Sequence, residues 1–202
     1  TALADQVVCD SYTLPAITGT GLTGNEQYYT GSGGTGTVYA AGATLNFADF
    51  GSYPVTLYLY DQTGTTPNCF DEETFQLTIH QTPVITALAD QVVCDSYTLP
   101  AITGTGLTGN EQYYTGSGGT GTAYAAGATL NFADFGSYPV TLYIYDQTGT
   151  TPNCFDEESF QLTINQTPTV NDIPDEVVCD TFVLPTITGT NLTGNELYYT
   201  GP

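Results

Sequence analysis

The chain repeats itself every 85 residues, and this period constrains its fold more than any single motif. Residues 1–85 return as 86–170 with six changes: Val38/Ala123, Leu59/Ile144, Thr74/Ser159, His80/Asn165, Val84/Thr169 and Ile85/Val170. A third copy begins at Asn171 and reaches Pro202, about a third of the way through. A fixed period of this length marks a tandem array of small domains: repeat 1 at 1–85, repeat 2 at 86–170, and the N-terminal part of repeat 3 at 171–202. A row of near-identical active sites serves no obvious catalytic purpose. A stalk, a cable or a multivalent binder is built this way, so the expected product of this sequence is length and surface. With no initiator Met and a third repeat cut short, the reading is of a window on a longer mature polypeptide.

Charge narrows the partners. The chain has no Lys or Arg and 21 acidic residues, a formal charge of −21. Nothing can neutralise phosphates, which excludes nucleic-acid binding through backbone contacts. Attraction to anionic lipid head groups fails for the same reason. Carboxylates must therefore be solvated, hydrogen-bonded or bound to cations from solution. Hydrophobic residues nevertheless make up 40% and aromatics 12% of the chain, a globular profile rather than a disordered one. No apolar run reaches the length of a membrane-spanning helix.

The segments read as strands divided by turns, with no helix. In 54–60, Val55, Leu57 and Leu59 alternate with Thr56, Tyr58 and Tyr60, the period of a half-buried strand. In 74–79, Phe75, Leu77 and Ile79 point the same way. Shorter candidates lie at 7–9, 12–14, 27–30, 37–39 and 44–47, divided by Gly- and Asn-rich turns. About seven short strands in each repeat predict an all-β chain of tandem Ig-like antiparallel β-sandwich domains. The linker 80–85 is short, carries Pro83 and has no Gly, which predicts a stiff extended connection.

Five cysteines, Cys9, Cys69, Cys94, Cys154 and Cys179, occupy two fixed phases of the repeat. Two per repeat, with no companion ligands at zinc spacing, reads as one disulfide per domain in an oxidising compartment. The expected pairs are Cys9–Cys69 and Cys94–Cys154, with Cys179 the first half of a pair completed beyond Pro202. The placement behind this is that Cys69 lies in the loop before the last strand, at the N-terminal end of the domain, and that the strand at 7–9 opens at that same end.

Two stretches carry a family resemblance. The run Gly51-Ser52-Tyr53-Pro54-Val55-Thr56-Leu57, followed by Asp61-Gln62-Thr63-Gly64 and Cys69, resembles the ending of hyalin-repeat and polycystic-kidney-disease-type Ig-like domains. The stretches VVCDSYTLPAITGTGLTGNEQYYTG and LYLYDQTGTTPNCFDEETFQLTI resemble the tandem repeats of giant cell-surface adhesins of gliding Bacteroidetes. This similarity covers essentially the whole of each repeat. It implies export by the type IX secretion system, display at the outer cell surface, and a role in adhesion or gliding motility. It supplies no catalytic residues.

Acidic residues cluster in the sequence of the last loop: Asp61, Asp71 and Glu72 in repeat 1, and Asp146, Asp156 and Glu157 in repeat 2. Cys9–Cys69 pairing would place Asp10 beside the first group, and the same reasoning places Asp95 beside the second. Such hard oxygen ligands define a candidate Ca²⁺ site; the alternative is a solvated acidic loop whose side chains cap turns. No other cofactor is implied. A glycosidase pair lacks any sign of a cleft, and His80 is Asn165 in the next copy, so no catalytic base persists. Sixteen tyrosines serve either as sugar-stacking surfaces or as cross-strand pairs, the latter being favoured. Asn165-Gln166-Thr167 and Asn191-Leu192-Thr193 match the short glycosylation pattern, and the absence of Lys rules out Lys–Asn isopeptide crosslinks.

The leading functional expectation is a structural and adhesive array at the cell surface, whose partners are further repeats of the same chain and other copies in a filament. The alternative is a glycan-binding module repeated for multivalency. An enzyme is not expected. Segment 171–202 lacks the counterparts of the two best strands. Its Val183, Leu184, Ile187 and Leu197 therefore cannot all be buried within it, and completion by continuing chain or by donated strands is expected.

Overall fold

The computed structural model describes residues 2–201. Repeat 1 contains β1 (Gln6–Cys9), β2 (Ser11–Thr13), β3 (Gln27–Gly31), β4 (Thr35–Tyr39), β5 (Thr44–Asn46), β6 (Val55–Gln62) and β7 (Phe70–His80), and β8 (Val84–Ile85) lies in the linker. Repeat 2 contains β9 (Gln91–Cys94), β10 (Ser96–Thr98), β11 (Gly104–Thr105), β12 (Gln112–Gly116), β13 (Thr120–Tyr124), β14 (Thr129–Asn131), β15 (Val140–Gln147) and β16 (Phe155–Asn165). β17 (Thr169–Val170) and β18 (Gly189–Thr190) follow. The only helical turns among the described residues are two 3-10 turns, Phe47–Asp49 and Phe132–Asp134.

In repeat 1 a five-stranded sheet runs β1-β7-β6-β3-β4 and a second layer pairs β2 with β5. Repeat 2 has the same two sheets, β13-β12-β15-β16-β9 and β10-β14. The chain is all-β, an Ig-like sandwich in each repeat. Alternation in β6 and β7 aims Leu57, Leu59, Phe75, Leu77 and Ile79 into one core, where they meet Leu14, Tyr28 and Leu45. Burying a side chain of this size is worth roughly 1.5–3 kcal/mol. Phe75 meets the edge of Tyr28 at 6.3 Å, and Tyr28 donates its hydroxyl to Pro15 O at 3.0 Å. Most pairings are antiparallel, but β1 runs parallel to β7, with Gln6 opposite Leu77 and Cys9 opposite His80. β9 and β16 repeat this register, with Cys94 opposite Asn165. The parallel strand decides where the cysteines lie.

By compactness the described chain parts into two units that cut across the period. The first holds everything up to Thr86 together with Ile102–Gln112 and Ile144–Glu158; the second holds Ala87–Ala101, Tyr113–Tyr143 and the residues from Ser159 on. The described residues after Asn171 form no sandwich of their own. Val183 is 87% exposed, Leu184 56% and Leu197 68%, whereas Leu14 and Leu99, which occupy the same phase as Leu184, are 1% exposed. Ile187 is half-buried.

Candidate functional site

The cysteines do not pair as the sequence suggested. Cys9 is bonded to Cys154, 145 residues away, with Cα atoms 5.8 Å apart. Cys69, Cys94 and Cys179 are free and exposed. The reason is the direction of β1. Because it runs parallel to β7, Cys9 lies opposite His80, at the end of that strand, whereas Cys69 immediately precedes its start at Phe70. The strand is 11 residues long, which separates its ends by roughly 30 Å at about 3.3 Å per residue. A disulfide tolerates Cα separations of only about 4.4–6.8 Å, so Cys9–Cys69 cannot form. Cys94 and Cys154 stand at opposite ends of β16 in the same way. The bond that forms joins a cysteine at the C-terminal end of repeat 1 to a cysteine at the N-terminal end of repeat 2.

Around this bond the first unit holds a small junction. β8 pairs antiparallel with β11, Ile85 opposite Gly104 and Val84 opposite Thr105. Ile85 N–H donates to Asp156 Oδ2 at 2.7 Å, and Thr86 N–H donates to Thr103 O at 2.8 Å. A Cβ at Gly104 would stand 2.1 Å from Val84 O; only glycine admits so close a backbone. Gly106 has φ +65° and faces the Gln81 side chain, a conformation that costs glycine little. Cys154 is 2% exposed, Ile85 4% and Asp146 0%. Within the linker, Val84–Ile85 form a two-residue strand held by β11 and Asp156.

The candidate calcium ligands do not converge. Asp10, at φ 61°, lies beside Cys9 and accepts from Thr82 N–H at 2.8 Å and Thr82 Oγ1 at 2.7 Å. It therefore occupies the opposite end of the sheet from Asp61 and Asp71, which face each other across β6 and β7. Asp61 accepts from Thr23 N–H at 2.9 Å and from the Thr23 hydroxyl, and these bonds hold its carboxyl below the usual range. Glu72 accepts from Ser32 Oγ at 2.8 Å and Gly33 N–H at 2.5 Å. In repeat 2, Asp95 accepts from Thr167 N–H at 2.8 Å and Thr167 Oγ1 at 2.6 Å, which lowers its pKa. Asp146 accepts from Thr108 N–H at 2.9 Å and from its hydroxyl; Asp156 is taken by Ile85, and Glu157 lies on β16. Among the described residues no three His, Cys, Asp or Glu side chains group as a metal ion would require. With no Lys or Arg in the chain, these carboxylates take backbone N–H and threonine or serine O–H donors instead, charge-assisted bonds that pin loops to strands.

Many tyrosines of the two complete repeats pack against aromatic neighbours, whereas Tyr199 is 79% exposed. Tyr28 and Tyr113 are fully buried. On the opposite sheet face Tyr60 stacks on Phe70 at 5.7 Å and meets the edge of Tyr29 at 6.0 Å. Phe47 stacks on Tyr53 at 5.6 Å.

Sequence could not have chosen among cysteine pairings that all fall in phase with the period. Gly104 and Asp156 were missed as junction residues because a turn glycine and a loop acid look alike wherever they sit. Gly104 recurs as Gly19 and Gly189, but Gly109 recurs equally as Gly24 and Gly194, so recurrence alone does not mark the junction.

No protein-family model matches the chain, and no curated protein matches it. Solved structures of low similarity do. Mouse cadherin-23 EC22-24 is 16% identical, with 84% of this chain and 64% of that chain covered at a TM-score of 0.35. Human CDH23 EC21-23 is 15% identical over 79% of this chain and 60% of that one, at a TM-score of 0.35. The complex of Dpr11 IG1 with DIP-gamma is 12% identical over 82% of this chain and 96% of that one, at a TM-score of 0.32. The chain thus spans under two thirds of the two cadherin structures.

Proposed function

We propose that the chain is part of an extracellular, non-enzymatic adhesive array in which successive repeats form a stiffened spacer. The observation that carries this reading is the Cys9–Cys154 bond, which ties repeat 1 to repeat 2 rather than closing a loop inside either. A bond across a boundary resists bending and pulling there, which a spacer needs and a single binding domain does not. A persisting disulfide belongs to an oxidising, extracytoplasmic setting, and the high negative charge favours solubility of long arrays. Export by the type IX system and a part in attachment or gliding complete the reading, on the resemblance of the repeats to surface adhesins. The glycan-binding alternative draws no support from tyrosines such as Tyr28, Tyr53, Tyr60 and Tyr113, whose rings pack mainly against phenylalanines.

Small-angle X-ray scattering of the oxidised and the reduced chain tests the spacer. Oxidised chain should give a narrow distribution of distances that broadens on reduction; an equally broad distribution in both states would overturn the reading. A glycan array with the same chain should show no preferred class, and reproducible binding of one sugar class would replace the spacer with the binding module.

A further inference from the structure

The N-terminal end of repeat 1 carries the same surface that, in repeat 2, is engaged at the junction. We propose that this surface is a socket for the C-terminal end of another repeat placed directly ahead of it in line, closed by a disulfide to Cys69. The occupant is a repeat of this same type, presenting the cysteine in the Cys9 phase and the linker strand in the Val84–Ile85 phase. The proposal concerns how repeats join and holds whether or not the array is adhesive.

Two junctions within the chain support it. At the first, Gly104 and Thr105 pair with Ile85 and Val84, Thr86 N–H bonds Thr103 O, and Cys154 is bonded to Cys9. At the second, Gly189 and Thr190 pair with Val170 and Thr169, and Asn171 N–H bonds Thr188 O at 2.8 Å. A Cβ at Gly189 would stand 1.9 Å from Thr169 O, as one at Gly104 would meet Val84 O. The same phase in repeat 1 is Gly19–Thr20, where a Cβ at Gly19 would meet only the Leu22 side chain.

The rest of the socket follows. A groove of about 240 Å³ is lined by Leu22, Thr23, Asp61, Cys69, Phe70 and Asp71. Asp71 stands in the phase of Asp156, which receives the N–H of Ile85. Cys69 is exposed where its counterpart Cys154 is 2% exposed and bonded. Likewise Cys94, exposed at the end of β9, is the plug-side cysteine of repeat 2. By phase with the observed bond, Cys69 is a socket-side cysteine, and Cys94 and Cys179 are plug-side cysteines.

Closure is an oxidation. One thiolate attacks a disulfide oxidant such as oxidised glutathione and forms a mixed disulfide. The second thiolate then attacks the protein sulfur of that mixed disulfide. Two thiols become one S–S bond, and the oxidant leaves as two reduced thiols carrying the two protons and two electrons.

The test is to place one further copy of residues 1–85 directly ahead of the full chain, oxidise with glutathione, alkylate, and map disulfides without reduction. The expected result is the Cys9–Cys154 bond together with a new bond from the first cysteine of the added repeat to Cys69, with the second cysteine of the added repeat, Cys94 and Cys179 alkylated. Cys69 left as a thiol beside an intact Cys9–Cys154 bond would overturn the socket, as would Cys69 bonded to any other cysteine. Loss of Cys9–Cys154 as well would overturn the junction on which it is built.

Discussion

Removing the junction disulfide should cost more than removing any other cysteine, and by an amount set by the loop it closes. The bond spans 145 residues. In the chain-entropy model a loop of that length stabilises by about 5 kcal/mol at 25 °C, the full value appearing only when both repeats unfold in one transition. Cys9→Ala and Cys154→Ala should therefore each lower the unfolding free energy of the oxidised chain by up to about 5 kcal/mol. The double variant should lose little more than either single one, because both remove the same bond. Cys69→Ala and Cys94→Ala, at exposed free thiols, should stay within about 0.5 kcal/mol of the parent. Urea unfolding followed by tyrosine fluorescence, with and without reductant, reads all of these, and reductant should erase the differences. A Cys69→Ala variant as destabilised as Cys9→Ala would refute the reasoning, since it would place Cys69 in the native bond.

Other expectations follow from the same geometry. Gly104→Ala puts a Cβ against Val84 O and should open the β8–β11 pairing, seen as faster hydrogen exchange at Thr86, whose N–H bonds Thr103 O, with the sandwich core still protected. Burial raises the Tyr28 and Tyr113 pKa from 10.0 to about 12; the stability this represents is complete below pH 10 and is lost as pH rises through 12, so tyrosinate absorbance should show these two titrating late and together with unfolding. Asp61 and Asp95, held below 3.8 by bonds from Thr23 and Thr167, contribute stability above that pH that is lost as pH falls through their lower folded values; Thr23→Val and Thr167→Val should flatten the acid limb of the melting curve. Because the carboxylates are dispersed, melting temperatures in chelator and in millimolar Ca²⁺ should agree, and a rise in Ca²⁺ would show that the acidic side chains gather after all.

Much of the fold was legible in the sequence because burial writes itself as alternation. Leu57 and Leu59 in β6, and Phe75, Leu77 and Ile79 in β7, were read inward and are buried. Tyr60 lies on the face opposite that core, as the alternation implies, and packs there against Phe70 and Tyr29, which leaves it only 9% exposed. What sequence did not reveal is direction. The four residues Gln-Val-Val-Cys pair as readily parallel as antiparallel, and nothing local to β1 says that its partner is the end of β7. Placing Cys9 at the wrong end of the domain then misplaced the disulfide and gathered Asp10 with Asp61 and Asp71. The junction was illegible for a related reason. The contacts that define it, such as Ile85 with Asp156, join residues 71 apart, and the period makes every such pairing equally in phase.

The central claim is that the native bond crosses a repeat boundary. Disulfide mapping of the oxidised 202-residue chain tests it most directly, using chymotrypsin or an Asp-specific protease because there is no Lys or Arg for trypsin. The account predicts the Cys9 peptide linked to the Cys154 peptide, with Cys69, Cys94 and Cys179 recovered as alkylated thiols. Recovery of Cys9 linked to Cys69 and Cys94 linked to Cys154 would contradict it.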